Sequence, residues 1–268
     1  MKKILIIILF VISACNTSKQ ISTTPSGSPE NIAVTGKLFT ALYQQQSADY
    51  RALCIQAYNI AHLRVDESLQ HNTKKPRAIV TDIDETLLDN SAYEIHQTLQ
   101  GKDYEPSSWY AWTDMAAADT VAGAPSFLKY AAYKGVEIFY VTNRDERERN
   151  STLLNLKKYN FPNADNAHLL VRKTTSSKED RRQQIAATHE IILLIGDNLA
   201  DFSFMFDKKS MEERLKNVNL FASEFGKRFI IIPNPVYGDW ESSMYKYIYT
   251  LTPAQKDSII KSLVKTYK

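Results

Sequence analysis

Ala78-Ile79-Val80-Thr81-Asp82-Ile83-Asp84-Glu85-Thr86 passes from an apolar run straight into acids and hydroxyls. A short run without polar alternation suits a strand buried on both faces of a parallel sheet. Comparable runs recur at Glu137-Ile138-Phe139-Tyr140-Val141, His168-Leu169-Leu170-Val171, Ile191-Ile192-Leu193-Leu194-Ile195 and Phe229-Ile230-Ile231-Ile232. Helical stretches are expected between them, at Pro125 to Lys134, Glu146 to Tyr159 and Ser177 to Thr188. Strands alternating with helices predict an α/β fold with a doubly wound parallel sheet. Such sheets bind ligands outside the carboxyl ends of their strands. The residues that follow each run are therefore where function is sought.

Upstream, Leu38, Leu42, Leu53, Ala57, Ile60, Ala61 and Val65 recur near helical spacing, which predicts one or two helices from Leu38 to Leu69. Cys54 lies on that apolar face and reads as a small core residue. Residues 16–36 are rich in Ser, Thr, Pro, Gly and Asn and read as a flexible tether. The start of the chain is a leader: Lys2 and Lys3, the apolar run Ile4 to Ile12, then Ser13-Ala14-Cys15. A charged start, a short apolar stretch and small residues at a cleavage site make a secretory signal peptide. The domain expectation is a signal peptide at 1–14, a tether at 15–36 and one catalytic domain at 37–268. Processing at Cys15 leaves Cys54 alone, so no intramolecular disulfide is available. It also leaves 31 basic residues against 30 acidic ones. A nearly neutral chain lacks the strongly basic surface of a protein that binds nucleic-acid polymers.

The strand ends carry the chemistry. Asp82 and Asp84 follow the first run, Thr142-Asn143-Arg144 the second, and Gly196-Asp197-Asn198-Leu199-Ala200-Asp201 the fourth. Two lysines, Lys173 and Lys178, follow the third. Clustered carboxylates with a lysine and a hydroxyl suit phosphoryl transfer: Mg²⁺ takes oxygen ligands, and the phosphoryl oxygens need positive charge and donors. A Ca²⁺ loop is excluded, because Leu87 stands where that loop needs Gly and Tyr93 where it needs a bidentate Glu. The five histidines have no ligand spacing, with His168 and His189 far apart in the chain. Neither a Walker-type loop nor a Ser-His-Asp arrangement is evident.

The order Asp-x-Asp-x-Thr, Thr, Lys, Gly-Asp-x-x-x-Asp resembles the haloacid dehalogenase (HAD) superfamily of phosphohydrolases. Asp82 to Ser91, Gly196 to Phe202 and Pro233 to Glu241 more narrowly resemble the class C bacterial acid phosphatases, lipoprotein nucleotidases of the lipoprotein e type. The resemblance runs from about Leu38 to the C-terminus. It implies Asp82 as the nucleophile, forming an aspartyl-phosphate, and Asp84 as general acid and base. It implies a Mg²⁺ ion held by Asp82, the carbonyl of Asp84 and Asp197, with Asp201 as an orienting neighbour. Thr142 would bond a phosphoryl oxygen, and Lys178, which fits the family spacing with Ser177 and Arg181 better than Lys173, would neutralise charge. Asn143 and Arg144 are candidate substrate contacts, Arg144 being equally suited to pairing with an acid.

Residues 92–124 carry Tyr104, Trp109, Tyr110 and Trp112 and read as a small, mainly helical cap. The resemblance implies that Tyr104 and Tyr237 sandwich a nucleotide base, with Trp112 and Trp240 structural. Ile12-Ser13-Ala14-Cys15 resembles a lipobox, which implies a lipid on Cys15 and anchoring in the bacterial cell envelope, at the outer membrane. The expected function is a Mg²⁺-dependent phosphomonoesterase acting on nucleoside monophosphates, with a homodimer compatible with it. The alternatives are a broad acid phosphatase or phosphotransferase, and a non-catalytic nucleotide-binding lipoprotein. Retention of both Asp82 and Asp84 speaks against the last.

Overall fold

The computed structural model describes residues 31–267; the leader, Cys15 and the tether through residue 30 lie outside them. Helix α1 spans Ile32–Gln46, so it starts inside the stretch read as tether. The reason is local. The side chain of Asn31 caps the first turn by accepting from the amide of Val34, and Ala33 and Val34 are buried. A second cap at Ser47, accepting from the amides of Asp49 and Tyr50, divides the helical region and starts α2 (Ala48–Leu69). The stripe that α2 buries is Tyr50, Cys54, Ala57, Tyr58, Ala61 and Val65. Leu42 and Leu53, grouped in the sequence with that face, are 46% and 45% exposed. Small residues let α2 lie close on the sheet; Leu53 falls outside the stripe that α2 buries, and Leu42 belongs to α1. The Cys54 thiol is buried and its pKa is pushed up to about 11 by that burial, which leaves it unreactive.

The chain continues through β1 (Arg77–Thr81), β2 (Leu88–Asp89), α3 (Ser91–Leu99), α4 (Pro106–Asp114), β3 (Asp119–Thr120), α5 (Ala124–Tyr133) and β4 (Glu137–Asp145). It then forms α6 (Arg149–Lys158), β5 (Leu169–Arg172), α7 (Glu179–Thr188), β6 (Glu190–Gly196) and α8 (Met211–Leu220). Strand β7 (Phe229–Ile231) and helices α9 (Asp239–Met244) and α10 (Pro253–Leu263) complete it. The main sheet is parallel with order β5-β4-β1-β6-β7. The winding reverses beside β1, which has β4 on one side and β6 on the other. That is the position where an open α/β sheet opens a crevice for ligands.

Both faces are covered. Ile79, Ile138, Tyr140, Leu193 and Ile195 join one core with Tyr58 of α2 and Phe127 and Leu128 of α5. The alternating residues Ala78, Val80, Phe139, Val141 and Leu194 join the other with Ile185 of α7, Phe202 and Phe229. This is why the strand sequences read as unbroken apolar runs. The antiparallel ribbon β2–β3, with Leu88 opposite Thr120, ties the two ends of the inserted segment together. Between them α3 and α4 form the helical part of the cap. Helix α1 packs along α3 and against α10, and the amide of Ile32 donates to Asp257 Oδ1 at 2.9 Å.

At the opposite end of the sheet, Glu137 accepts from His168 Nε2 at 2.7 Å and His189 Nε2 at 2.8 Å. The fold thus brings together two histidines that sequence spacing kept apart, on one hydrogen-bonding carboxylate.

Candidate active site

β1 ends at Thr81, but the amide of Asp82 still donates to Ile195 O at 2.9 Å, so the first acid is held in line with β6. The chain then turns tightly, with the amides of Leu87 and Leu88 returning to Ile83 O. Glu85 takes a left-handed φ of 56° in this turn. A non-glycine residue there carries strain that only surrounding contacts sustain. Its buried carboxylate accepts from Gln44 of α1, from the amide of Asn90 at 3.2 Å and from the Tyr237 hydroxyl at 3.1 Å.

Asp82 and Asp84 both line a cavity of about 700 Å³. Lys178 Nζ lies 2.5 Å from Asp82 Oδ1 and 2.6 Å from Asp201 Oδ1. No protein group among the described residues bonds the second Asp82 oxygen. Burial pushes the Asp82 carboxyl up to about 7, with Lys178 pulling the other way and Asp201 and Asp84 adding to the rise. Burial also disfavours the Lys178 ammonium, but Asp201 and Asp82 outweigh it and hold Lys178 charged. Lys173 is exposed and does not line the cavity. Lys178 instead stands just ahead of α7, whose first residue is Glu179.

Asp197 leaves the end of β6. Its carboxylate accepts from Thr86 Oγ1 at 3.2 Å and Asn234 Nδ2 at 2.8 Å. Asp201 turns back to accept from the Asn198 amide at 3.0 Å, and it packs on the bare Cα of Gly196. A Cβ at position 196 would stand 2.2 Å from Asp201 Oδ2, so the glycine is a steric requirement. Oxygens of Asp82, Asp197 and Asp201 lie within 4.8 Å of one another. Burial, then Asp201 and Asp82, drive Asp197 well above the usual carboxylate range. Three crowded carboxylates with one lysine leave negative charge uncompensated. An all-oxygen donor set of this kind fits a hard divalent cation, which Asp82 and Asp197 would hold while Lys178 and Asn198 keep Asp201 oriented.

Asp84 is fixed from its other side. Arg144 Nε lies 3.1 Å from both its oxygens and Nη2 2.7 Å from Oδ1. Asn90 Nδ2 adds a bond of 2.9 Å, and Trp112 Nε1 donates to Asn90 Oδ1 at 2.9 Å. The Arg144 side chain is 2% exposed, so its guanidinium is committed to Asp84. Thr142 is fully buried within β4 and does not line the cavity, although the next two residues, Asn143 and Arg144, do. Its hydroxyl accepts from the Arg144 amide at 3.1 Å. Arg181 Nη1 donates to Thr142 O at 2.5 Å, and Nη2 to Asn143 Oδ1 at 2.9 Å. Tyr104, from the cap, and Tyr237, from the loop before α9, line the same cavity. Asn90, Asn234 and Glu85 went unassigned in the sequence although they lie inside the quoted motifs. Their adjacency to the acids was the available signal.

A family model described as HAD superfamily, subfamily IIIB (acid phosphatase), matches residues 17–240. The class C acid phosphatase from Bacillus anthracis superposes with a TM-score of 0.85 at 38% identity, over 89% of this chain and 100% of that one. The same enzyme with tungstate bound superposes with a TM-score of 0.86, again at 38% identity over 89% and 100% of the two chains.

The chain belongs to the subfamily IIIB acid phosphatases of the HAD superfamily.

As a member of this family it is a phosphomonoesterase. The parallel sheet and its helices are those of a HAD phosphatase. The acids that the motifs single out meet at the reversal of strand order.

Proposed function

We propose that the enzyme hydrolyses nucleoside monophosphates and related small esters with Mg²⁺, through an aspartyl-phosphate on Asp82. The observation that carries this is the asymmetry of two neighbouring acids in one cavity. Among the described residues Asp82 has an oxygen with no protein partner beside the Lys178 ammonium, whereas Asp84 is clamped by Arg144 and Asn90. A free carboxylate oxygen suits in-line attack on phosphorus. A clamped acid suits proton transfer, first to the leaving alkoxide and then from the water that hydrolyses the aspartyl-phosphate. When bound, Mg²⁺ supplies charge neutralisation for the phosphoryl oxygens. Lys178 adds positive charge at the same place, and the Thr142 hydroxyl is proposed to donate to a phosphoryl oxygen.

The nucleotide preference is supported by Tyr104 and Tyr237, two rings in the wall of the cavity that holds Asp82. A base stacked on such rings gains about 1–3 kcal/mol whatever its identity. The related Bacillus anthracis enzyme is seen with tungstate bound, an oxyanion, which supports a site for phosphate esters. We further propose that Cys15 carries a lipid and anchors the enzyme in the cell envelope, on the strength of the leader and the lipobox-like tetrad. Mass spectrometry of the mature N-terminus, beside Cys15→Ser, tests that.

Residues 16–268 should be assayed for phosphate release from nucleoside monophosphates and sugar phosphates, with Mg²⁺ and with chelator, beside Asp82→Asn. Release that needs Mg²⁺, fails in the variant and favours nucleotides is the expected result. Activity surviving in Asp82→Asn would overturn the covalent mechanism. Sugar phosphates turned over as well as nucleotides would overturn the nucleotide preference.

A further inference from the structure

One wall of the active-site cavity is a charged network that no part of the phosphoryl chemistry uses. Lys37 of α1, Glu94 of α3, Asp103 from the loop before α4, Glu241 of α9 and Lys256 of α10 all line it. Lys37 Nζ lies 2.7 Å from Asp103 Oδ1 and 3.3 Å from Glu241 Oε2. Lys256 Nζ lies 2.7 Å from Asp103 Oδ2. Both ammonium groups are thus spent on Asp103 and Glu241. Glu94 is the surplus acid. It is 4% exposed, and among the described residues its carboxylate makes no hydrogen bond or ion pair. A carboxylate that lines a ligand cavity without a protein donor takes its hydrogen bonds from whatever fills the cavity, so a bound ligand that excludes water has to supply one. Burial pushes Glu94 up to about 7, as expected of a carboxyl without its own donor. Its charge also reaches the phenol of Tyr237, so it sits near the ring proposed to stack.

We propose that Glu94 is a specificity-determining residue, accepting a hydrogen bond from an O–H or N–H donor on the organic part of the phosphomonoester. This rests on the nucleotide reading above. In a nucleotide the donor is a ribose hydroxyl or an amine on the edge of the base. A phosphate ester too small to reach that wall gains nothing from it.

The test compares wild type with Glu94→Met, close in size and unable to accept strongly. The substrates are adenosine 5′-monophosphate, its 2′,3′-dideoxy analogue, purine riboside 5′-monophosphate, which lacks the exocyclic amine, and phenyl phosphate. Wild type should favour adenosine 5′-monophosphate over at least one analogue by about tenfold in kcat/KM. The analogue disfavoured identifies the donor. Glu94→Met should reduce that preference to within about twofold, chiefly through KM, and leave phenyl phosphate unchanged. If Glu94→Met does not fold, Glu94→Gln replaces it, with a preference weakened at least threefold as the criterion. Nucleotide turnover with no such preference in wild type, a preference intact in the variant, or an equal loss on phenyl phosphate overturns the role of Glu94 alone. Turnover of phenyl phosphate with no turnover of any nucleotide overturns the nucleotide reading and this inference together.

Discussion

Replacing Lys178 by Met should abolish most activity and reshape the pH dependence of stability. The ammonium makes two short charge-assisted bonds, 2.5 Å to Asp82 and 2.6 Å to Asp201, at a side chain 5% exposed. Bonds of that kind contribute about 1.5–3 kcal/mol each, and stripping one partner from a buried pair costs about 3–5 kcal/mol. In the proposed mechanism the same charge faces the incoming phosphoryl group, where loss of one electrostatic donor costs roughly 10²–10³ in kcat. Lys178→Met should therefore lower kcat/KM by about 10³ or more, measured by phosphate release. Stability depends on pH in a defined direction. Burial raises Asp82 from 3.8 to about 7, so the native protein binds this proton more tightly than the unfolded chain. In the metal-free enzyme, that contribution is full below about 3.8 and is lost as pH rises through 7. Without Lys178 the carboxyl rises further, and the variant should be more destabilised at pH 8 than at pH 5. Thermal denaturation at both values measures this. A variant within tenfold of wild-type kcat/KM, or one equally destabilised at both values, would refute the assignment of Lys178 as the neutralising charge.

Four further outcomes are expected. Arg144→Ala frees Asp84 and should cut kcat by roughly 10²-fold on alkyl phosphates but less on p-nitrophenyl phosphate, whose leaving group needs little protonation; equal losses on both would count against the clamp. Gly196→Ala places a Cβ 2.2 Å from Asp201 Oδ2 and should cost about 1–3 kcal/mol in stability and at least about tenfold in kcat/KM; unchanged melting and activity would disprove the close contact. Saturating Mg²⁺ at 100 times its Kd should stabilise the protein by about 2.7 kcal/mol, roughly 5–10 °C in Tm, and an unmoved Tm would argue against a cation at the acid cluster. His168 is raised above 6.5 because its bonds to Asp165 and Glu137 outweigh burial, so its contribution is full below 6.5 and is lost as pH rises through the higher folded value. His168→Gln should therefore melt below wild type at pH 5.5 and approach it by pH 9, and a gap constant with pH would exclude the charged pair.

The chain's own pattern was enough for the sheet and for the place where its acids gather. Short apolar runs without alternation, spaced by helical stretches, suit strands covered on both faces, and the acids follow them directly because strand ends are where a parallel sheet exposes functional groups. Asp82, Asp84, Asp197 and Asp201, which line one cavity, were legible as candidates because each follows such a run in a short motif, whereas the choice of Lys178 over Lys173 came from the family resemblance. The start of α1 was also written locally, in Asn31 and the apolar residues after it, but composition alone masked it. What needed the tertiary structure was pairing across distance. Gln44 reaches Glu85 from 41 residues upstream, Arg144 takes Asp84 across 60, and Lys256 joins Asp103 across 153. Sequence spacing carries no signal for such contacts, because they depend on how helices pack over the ends of the sheet. Glu94 shows the same limit from the other side. On a helix it reads as one more solvated acid, and only the closing of α1, α9 and α10 around the cavity places it on the wall with no hydrogen-bond donor among the described residues.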